Sequence, residues 1–265
     1  AFYQHVKVGH VEAGLRTGNK FAPFPEEINR RLVGQLADLH FAPTQEARKA
    51  LLAEGVATDK VFVTGNTVID ALLYIRDRVR STPPELPAGL EKAIDGHPLV
   101  LVTGHRRESF GEGFENICKA ILSVAESFPD VLFVYPVHLN PNVREPVNRI
   151  LRGHERILLI DPLPYEPFVW LMDQATLVLT DSGGVQEEAP SLGKPVLVMR
   201  EITERPEGVA AGNARLVGVS QSRIVEAMTD LLAHPEAREA MSKVRNPYGD
   251  GQASNRIADI LTRLS

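Results

Sequence analysis

The stretch 177-LVLTDSGGVQEEAPSLGKPVLVM-199 combines a strand, a glycine turn, a short helix and a second strand in direct succession. Both predicted strands, 177–181 and 195–199, are largely apolar, as expected of parallel strands that are covered on both faces. Pro190 cannot continue an unbroken helix, so the helix between them is predicted to be short or kinked. The stretch therefore predicts an α/β fold built on a parallel sheet.

The turn in this stretch is a candidate phosphate site. Ser182 stands at the N-cap position of the helix, and Gly183 and Gly184 allow the backbone to approach a ligand closely. Free N–H groups at a helix N-terminus suit a phosphate, and a carboxylate in the first turns, at Glu187 or Glu188, could accept both hydroxyls of a ribose. Alternatively, the turn is only a tight connection, and Glu187 and Glu188 complement the helix dipole. The position at the carboxyl end of a parallel strand favours the anion site.

The same alternation of strands and helices runs through all 265 residues. Apolar residues at helical spacing predict amphipathic helices, with Ile28, Leu32 and Leu36 on one stripe. A second stripe consists of Phe114, Ile117, Ile121 and Val124. Apolar and β-branched segments predict strands within 6–13, 39–44, 60–65, 97–104, 131–137, 157–161, 177–181, 195–199 and 214–218.

A Pro- and Gly-rich segment, 80–98, separates these strands into two groups. The later group suffices for a complete doubly wound domain, whereas the three earlier strands are too few to close one. We therefore predict an incomplete Rossmann-like domain over residues 1–65 and a complete Rossmann-like, nucleotide-binding domain over 66–246. The C-terminal helical segment, 247–265, is predicted to pack back on the first domain.

Composition narrows the class of protein. The chain is 43% hydrophobic and 24% charged, which provides enough apolar material for a packed core. A net charge of −5 argues against a general nucleic-acid binder. No apolar run reaches the ~18 residues of a membrane span, so the cytoplasm is the default expectation. The single cysteine, Cys118, excludes an intramolecular disulfide and lies in an apolar helical pattern that predicts a buried thiol.

A second candidate site follows the strand at 97–104. His105, Arg106 and Arg107 stand at its carboxyl end, where they suit a diphosphate or a developing negative charge. His138 ends the next strand along the chain. Alternatively, the arginines are solvated residues of a loop. The following G-E-G-F-E-N does not complete a dinucleotide fingerprint, and the histidines lack metal-ligand spacing, so neither NAD nor a metal is expected.

Acidic residues near the N-terminus could transfer protons. Glu12 lies near a strand end, and Glu26 and Glu27 follow Pro25 at a helix start. Carboxylates that converge in a cleft can act as acid and base. Alternatively, Glu26 and Glu27 only stabilise the first turn of the helix.

These motifs together resemble a known family, the bacterial non-hydrolysing UDP-N-acetylglucosamine 2-epimerases. The resemblance extends from Ala1 to about Leu264, with eight segments in matching order and spacing. The segments are HVEAGLRTGN, PFPEEINRR, VTGNTVIDAL, TGHRRESFG, YPVHLNPNV, LTDSGGVQEEAPSLGKPVLVMRE, TERPEG and NPYGDGQAS.

The resemblance implies two Rossmann-like domains of the glycosyltransferase-B type, without NAD or metal. It implies conversion of UDP-N-acetylglucosamine to UDP-N-acetylmannosamine, by elimination of UDP to a glycal and re-addition, in polysaccharide biosynthesis. It also implies a cytoplasmic homodimer. The residues it assigns are Ser182, Gly183, Gly184, Glu188, Arg205 and Phe168 to UDP binding, Glu12, Glu26 and His105 to catalysis, and Arg106 and His138 to a second, activating UDP-N-acetylglucosamine.

The chain departs from the family pattern at its start. Family members carry a G-T-R-P-E-type loop and an H-G-D-T-type segment, and neither occurs here. We therefore expect an N-terminally truncated member with an incomplete first domain. Two alternatives stay open, a fragment that binds UDP-sugar without turnover and a glycosyltransferase of the same fold. Membranes and nucleic acids are not expected as partners.

Overall fold

A computed structural model describes residues 1–264, and each of the nine predicted strand segments contains one of its strands. The strands are β1 (Gly9–Val11), β2 (Leu39–Ala42), β3 (Val61–Val63), β4 (Leu99–Thr103), β5 (Leu132–Pro136), β6 (Ile157–Ile160), β7 (Leu177–Thr180), β8 (Val196–Val198) and β9 (Ala214–Leu216). The α-helices are α1 (Glu26–Leu36), α2 (Gln45–Ala53), α3 (Thr67–Ser81), α4 (Leu90–Ile94), α5 (Glu112–Ser127), α6 (Pro141–Leu151), α7 (Tyr165–Gln174), α8 (Gly183–Ser191), α9 (Pro206–Ala211), α10 (Gln221–Ala233), α11 (Pro235–Ser242) and α12 (Ala253–Leu264). Short 3-10 helices span Phe2–Gln4, Thr58–Lys60 and Arg107–Ser109.

The chain forms two compact units. Unit 1 contains Ala1–Tyr74, Ile202–Ala210 and the residues from Asn246 onward, and unit 2 contains Ile75–Glu201 and Ala211–Arg245. The sequence predicts a boundary at residue 65, whereas unit 1 continues to Tyr74 within α3 and also includes Ile202–Ala210. Helix α12 belongs to unit 1. Ser265, the last residue of the predicted C-terminal segment, lies outside the described residues.

Unit 2 is built on a six-stranded parallel sheet in the order β6-β5-β4-β7-β8-β9. The chain first adds strands on one side of β4 and then crosses to the other side with β7, which is the doubly wound arrangement. Strands β4 and β7 therefore flank the switch point, with Thr103 paired to Thr180 at their carboxyl ends. Ligands of open parallel sheets bind at such a point.

The apolar stripe predicted for α5 forms part of the core of unit 2. Phe114, Ile117 and Ile121 of α5 are fully buried in the cluster that the strands of this sheet line. Cys118 lies on the same inner face and is also fully buried, as predicted. Its burial raises the pKa of the thiol to about 12. Helix α8, which contains Pro190, is short, as the proline predicted.

Unit 1 is built on a three-stranded parallel sheet in the order β1-β2-β3. Its small core contains Ala13, Leu15 and Leu51. Helix α1 forms where the sequence predicted it, but Leu32 and Leu36 are 59% and 46% exposed. The predicted apolar stripe of α1 is therefore present, but it is exposed to solvent.

Two negative findings apply to residues 1–264. No helix in this part of the chain is long and apolar enough to cross a membrane. Within the same residues, no group of three or more His, Cys, Asp or Glu side chains is arranged to hold a metal ion.

Candidate functional site

The candidate site of unit 2 is built on the ends of β4 and β7. The hydroxyls of Thr103 and Thr180, the last residues of these strands, lie 2.6 Å apart in a hydrogen bond. The Thr180 hydroxyl also accepts the N–H of Ser182 at 2.9 Å. These two threonines, of which Thr180 is fully buried, thus join the ends of both strands at the point where they leave the sheet.

Asp181 joins the two loops that follow these strands. Its side chain is fully buried, and Oδ2 accepts the backbone N–H groups of His105 at 2.7 Å and Arg106 at 2.8 Å. Because a charged acceptor strengthens such bonds, this carboxylate holds the loop after β4 against the turn after β7. Sequence reasoning assigned Asp181 no role. The available signal was an acidic residue at the end of a buried strand, directly before the glycine turn.

Two predicted site histidines meet beside this loop. The rings of His105 and His138 stack with centroids 5.4 Å apart. The His105 Nδ1 atom lies 3.4 Å from Asp181 Oδ1. Burial lowers the pKa of His105, the Asp181 carboxylate raises it, and Arg106 and His138 lower it further. His105 is therefore biased towards the neutral form, in which one ring nitrogen can accept a proton.

Close backbone packing supports the same loop at Gly104. The Tyr135 hydroxyl donates to the Gly104 carbonyl at 3.1 Å. A Cβ atom at this position would lie 3.0 Å from that hydroxyl, so a larger residue would displace it. The glycine therefore permits the turn that presents His105.

The turn after β7 leads directly into α8. Ser182 is the N-cap residue, and its side chain makes no capping hydrogen bond. Gly183 and Gly184 are the first two helical residues, so their N–H groups have no partner within the helix. The amino end of α8 therefore presents backbone N–H groups of the kind that bind phosphates in other proteins.

A buried carboxylate lies on the same helix. Glu188 is 6% exposed, and its Oε1 accepts the Tyr165 hydroxyl at 2.5 Å. Burial raises the pKa of Glu188, and the hydrogen bond from Tyr165 opposes that rise. Phe168 lies on α7 three residues after Tyr165 and is partly buried. Sequence reasoning missed Tyr165, because a single tyrosine in a helix carries no pattern.

The remaining predicted residues lie in unit 1. Glu12 follows β1 directly and has a left-handed backbone, with φ at 61°, which is uncommon for a residue other than glycine. Arg205 lies 3.3 Å from Glu12 and 2.5 Å from Glu204. The structure therefore brings Glu12 and Arg205 together as an ion pair.

Glu26 and Glu27 have different surroundings at the start of α1. Glu26 is exposed, and its side chain makes none of the hydrogen bonds or ion pairs found among residues 1–264. Glu27 is fully buried and accepts the N–H groups of Thr17 at 3.0 Å and Gly18 at 3.2 Å. Glu27 thus holds the preceding loop, and Glu26 is not brought to Glu12 by any of these contacts.

Tyr248 fixes the segment that contains Arg205. It is fully buried, and its hydroxyl donates to the Arg205 carbonyl and accepts the Gly208 N–H, both at 2.9 Å. The residue was quoted in the motif NPYGDGQAS without a role. Its place beside Arg205 depends on a contact across 43 residues, which the sequence alone does not give.

Comparison with known proteins identifies the family of the chain. A family model described as UDP-N-acetylglucosamine 2-epimerase matches residues 1–262. The chain belongs to that family. A UDP-N-acetylglucosamine 2-epimerase of Escherichia coli K12 is 60% identical over 264 residues, covering 98% of this chain and 70% of the relative. The family catalyses the epimerisation of UDP-N-acetylglucosamine to UDP-N-acetylmannosamine.

Solved 2-epimerase structures have the same fold. The Neisseria meningitidis enzyme bound to UDP-GlcNAc is 48% identical, with a TM-score of 0.93, covering 99% of this chain and 71% of that one. A Staphylococcus aureus MnaA–UDP structure is 47% identical, with a TM-score of 0.94, covering 100% and 71%. The predicted family and α/β fold of the glycosyltransferase-B type are therefore confirmed. The chain corresponds to about 70% of the length of these 2-epimerases.

Proposed function

We propose that this chain binds UDP-N-acetylglucosamine through the carboxyl ends of β4 and β7 and contributes to its epimerisation. The observation that carries the proposal is the arrangement of α8. Free N–H groups stand at its amino end, and the buried Glu188 carboxylate lies one to two turns further along. A diphosphate suits the former and ribose hydroxyls suit the latter.

The UDP-binding residues proposed for the chain are those that the family resemblance assigned. In unit 2, Ser182, Gly183 and Gly184 would bind the diphosphate, Glu188 the ribose and Phe168 the same wall of the site. The resemblance also assigns Arg205 to UDP binding. Its guanidinium is fixed by Glu12 and Glu204, which supports a preorganised cation.

The proposed reaction begins with loss of UDP. The hydrogen on the second sugar carbon is barely acidic, because no carbonyl is attached to that carbon. Breaking the bond between the first carbon and the diphosphate oxygen develops an oxocarbenium ion, which acidifies that hydrogen. A carboxylate then takes the proton, leaving UDP and a glycal. The diphosphate oxygen then adds back to the first carbon, and a proton is delivered to the second carbon on the face opposite to the one from which the original hydrogen left, which gives the other epimer.

The proposed catalytic residues are Glu12, Glu26 and His105. His105 lies beside the anion site, and stabilisation of the leaving diphosphate there would lower the barrier. Glu12 and Glu26 are the proposed proton-transfer groups, and the strained backbone of Glu12 supports a functional position.

A second, activating UDP-N-acetylglucosamine is proposed at Arg106 and His138. The stacking of His138 on His105 supports contact between that second site and the first. The homodimer and the cytoplasmic location remain predictions.

Glu188→Gln tests the site with little change in shape. The variant keeps an oxygen that can accept from Tyr165 but removes the charge that the ribose hydroxyls contact. We expect UDP affinity, measured by titration calorimetry, to fall at least about tenfold. Glu126→Ala, an exposed position on α5, is the matched control and should bind UDP like the wild type. Unchanged affinity in Glu188→Gln would remove Glu188 from the site.

Turnover is tested separately by proton NMR of UDP-N-acetylglucosamine with the 265-residue chain in heavy water. Loss of the signal from the second sugar carbon, with a new manno-type anomeric signal, is the expected result. UDP binding without exchange would identify a binding fragment, and free N-acetylmannosamine would identify a hydrolysing enzyme. Transfer of the sugar to an acceptor would identify a glycosyltransferase.

A further inference from the structure

The hydrogen bond between Tyr165 and Glu188 orients the Glu188 carboxylate. Tyr165 begins α7 and Glu188 lies on α8, so the hydrogen bond joins two helices of unit 2. The tyrosine is 41% exposed, whereas the carboxylate is 6% exposed. A partly exposed hydroxyl therefore reaches inward to a buried acceptor.

This contact determines where the second carboxylate oxygen points. The Tyr165 hydroxyl occupies Oε1, and a carboxyl group is planar, so the position of Oε2 is fixed at the same time. Glu188 Oε2 faces Gly184, since a Cβ atom built on that glycine would lie 3.7 Å from it. Oε2 thus lies on the same face of α8 as Gly184, one helical turn away.

The same contact favours the ionised form of the carboxylate. Burial raises the pKa of Glu188, and the hydrogen bond from Tyr165 lowers it. Only the ionised carboxylate offers all of its lone pairs to hydroxyl donors. Without Tyr165, the pKa of the buried Glu188 carboxyl would rise further, and Oε1 would lose its hydrogen-bond donor.

We propose that Tyr165 is a positioning residue that makes the site selective for ribose over deoxyribose, by holding Glu188 with one oxygen directed at the sugar hydroxyls. The proposal rests on the proposed UDP site. It assigns Tyr165 no contact with the nucleotide, so its influence passes through Glu188 alone.

The test compares two ligands that differ only in the hydroxyls concerned, UDP and 2′,3′-dideoxyuridine 5′-diphosphate. Calorimetry of the 265-residue wild type is expected to show about tenfold or greater preference for UDP. In Tyr165→Phe, UDP affinity should fall about tenfold while dideoxy-UDP affinity stays within about twofold of the wild-type value. Tyr74→Phe removes the hydroxyl of an exposed tyrosine elsewhere and should change neither affinity.

A double variant tests the route through Glu188. Tyr165→Phe combined with Glu188→Gln should lose no more UDP affinity than Glu188→Gln alone, because Tyr165 acts only by orienting the charged acceptor that Glu188→Gln already removes. Circular dichroism checks that each variant is folded, and the comparison of Glu188→Gln with the wild type measures ribose selectivity without altering Tyr165.

Four outcomes would overturn the inference. Equal losses for UDP and dideoxy-UDP in Tyr165→Phe would indicate a merely structural role, and additive losses in the double variant would separate Tyr165 from Glu188. A wild type that binds both ligands equally would show that no ribose selectivity exists. A wild type that binds neither ligand would overturn the proposed UDP site as well, and only that result touches both proposals.

Discussion

His10 and His40 occupy paired positions on β1 and β2, with ring centroids 6.3 Å apart. Neither Nδ1 atom has a hydrogen-bond partner among residues 1–264. Burial lowers the pKa of His10 to about 4, with further lowering from His40, Arg16 and Arg30. The pKa of His40 is also lowered, chiefly by burial. Protonation of this pair is therefore opposed by both the apolar surroundings and the neighbouring cations.

The stability of the chain should consequently depend on pH through His10. The unfolded chain takes up a proton near pH 6.5, whereas folded His10 resists it until about pH 4, so the unfolded state binds more protons between these values. The free energy of unfolding should therefore fall as pH is lowered from 6.5 to 4. His10→Gln should show a shallower fall in urea titrations across this range.

His5→Gln is the control, because His5 is exposed. Its pH dependence should match that of the wild type. Identical slopes in His10→Gln and the wild type would show that His10 contributes nothing to the acid sensitivity.

The sequence predicted a role for some residues of the site and not for others. A local pattern was enough to predict a role for Ser182, Gly183 and Gly184, because a glycine turn directly after a buried strand is compatible with few structures. Asp181, Tyr165 and Tyr248 act through contacts between elements, and those contacts depend on packing that no local pattern encodes. Glu27 was assigned with Glu26 to a helix start, but its buried hydrogen bonds to Thr17 and Gly18 could not be predicted.

Among the helices, α12 has its amino end bound by a side chain from another helix. The Asp70 carboxylate of α3 accepts the N–H groups of Ala253 at 3.1 Å and Ser254 at 2.8 Å. These are the first two residues of α12, whose N–H groups have no partner within the helix. Asp70 thus stabilises α12 by hydrogen bonds and by its charge at the positive end of the helix dipole.

Asp70→Asn should destabilise the fold, because the amide cannot offer two charged acceptors to these N–H groups. We expect a decrease of about 1–2 kcal/mol in the free energy of unfolding, measured by urea titration. Asp77→Asn, on the exposed surface of the same helix, should cost about 0.5 kcal/mol or less. Equal effects of both variants would contradict a specific role for Asp70.

Periodicity predicted which residues of a helix share a face but not what covers that face. The stripe of α5 is buried in the core of unit 2, and the stripe of α1 is exposed, although both consist of apolar residues three or four positions apart. The strands were predicted more completely, because an uninterrupted apolar run fits a strand covered on both sides.

Across the molecule, apolar exposure is concentrated in unit 1. Unit 2 has a six-stranded sheet and a continuous core, whereas the sheet of unit 1 has three strands and a much smaller core. Fewer buried contacts imply a lower free energy of local opening. The large apolar residues exposed near the start of the chain are Phe2, Tyr3, Val6, Val11, Phe21, Phe24, Ile28, Leu32, Val33 and Leu36.

Hydrogen exchange should therefore distinguish the two units. Amide hydrogens of β4 and β7, which have neighbouring strands on both sides, should exchange at least about tenfold more slowly than those of β1. Mass spectrometry of peptides from one labelled sample compares them directly, so each unit is the control for the other. Equal protection of β1 and β4 would contradict this ranking.

The family and the fold class were predictable at this scale, because eight motifs in order identify one arrangement of two domains. The division of the chain into two units was harder to predict from the sequence. The segment Ile202–Ala210 belongs to unit 1, although the residues before and after it in the sequence belong to unit 2. Its hydrogen bonds with Tyr248, which is distant in the sequence, are among the contacts that hold it there.

The burial of Cys118 also makes the surface convenient for chemical labelling. The chain has no other cysteine, and this one is shielded from solvent and un-ionised at neutral pH. Maleimide and iodoacetamide reagents attack thiolates, so the native protein should remain unmodified. A cysteine introduced at an exposed position such as Tyr74 would then carry a single fluorophore or spin label. Distance and mobility measurements are thus open to this chain without removal of any natural side chain from its core.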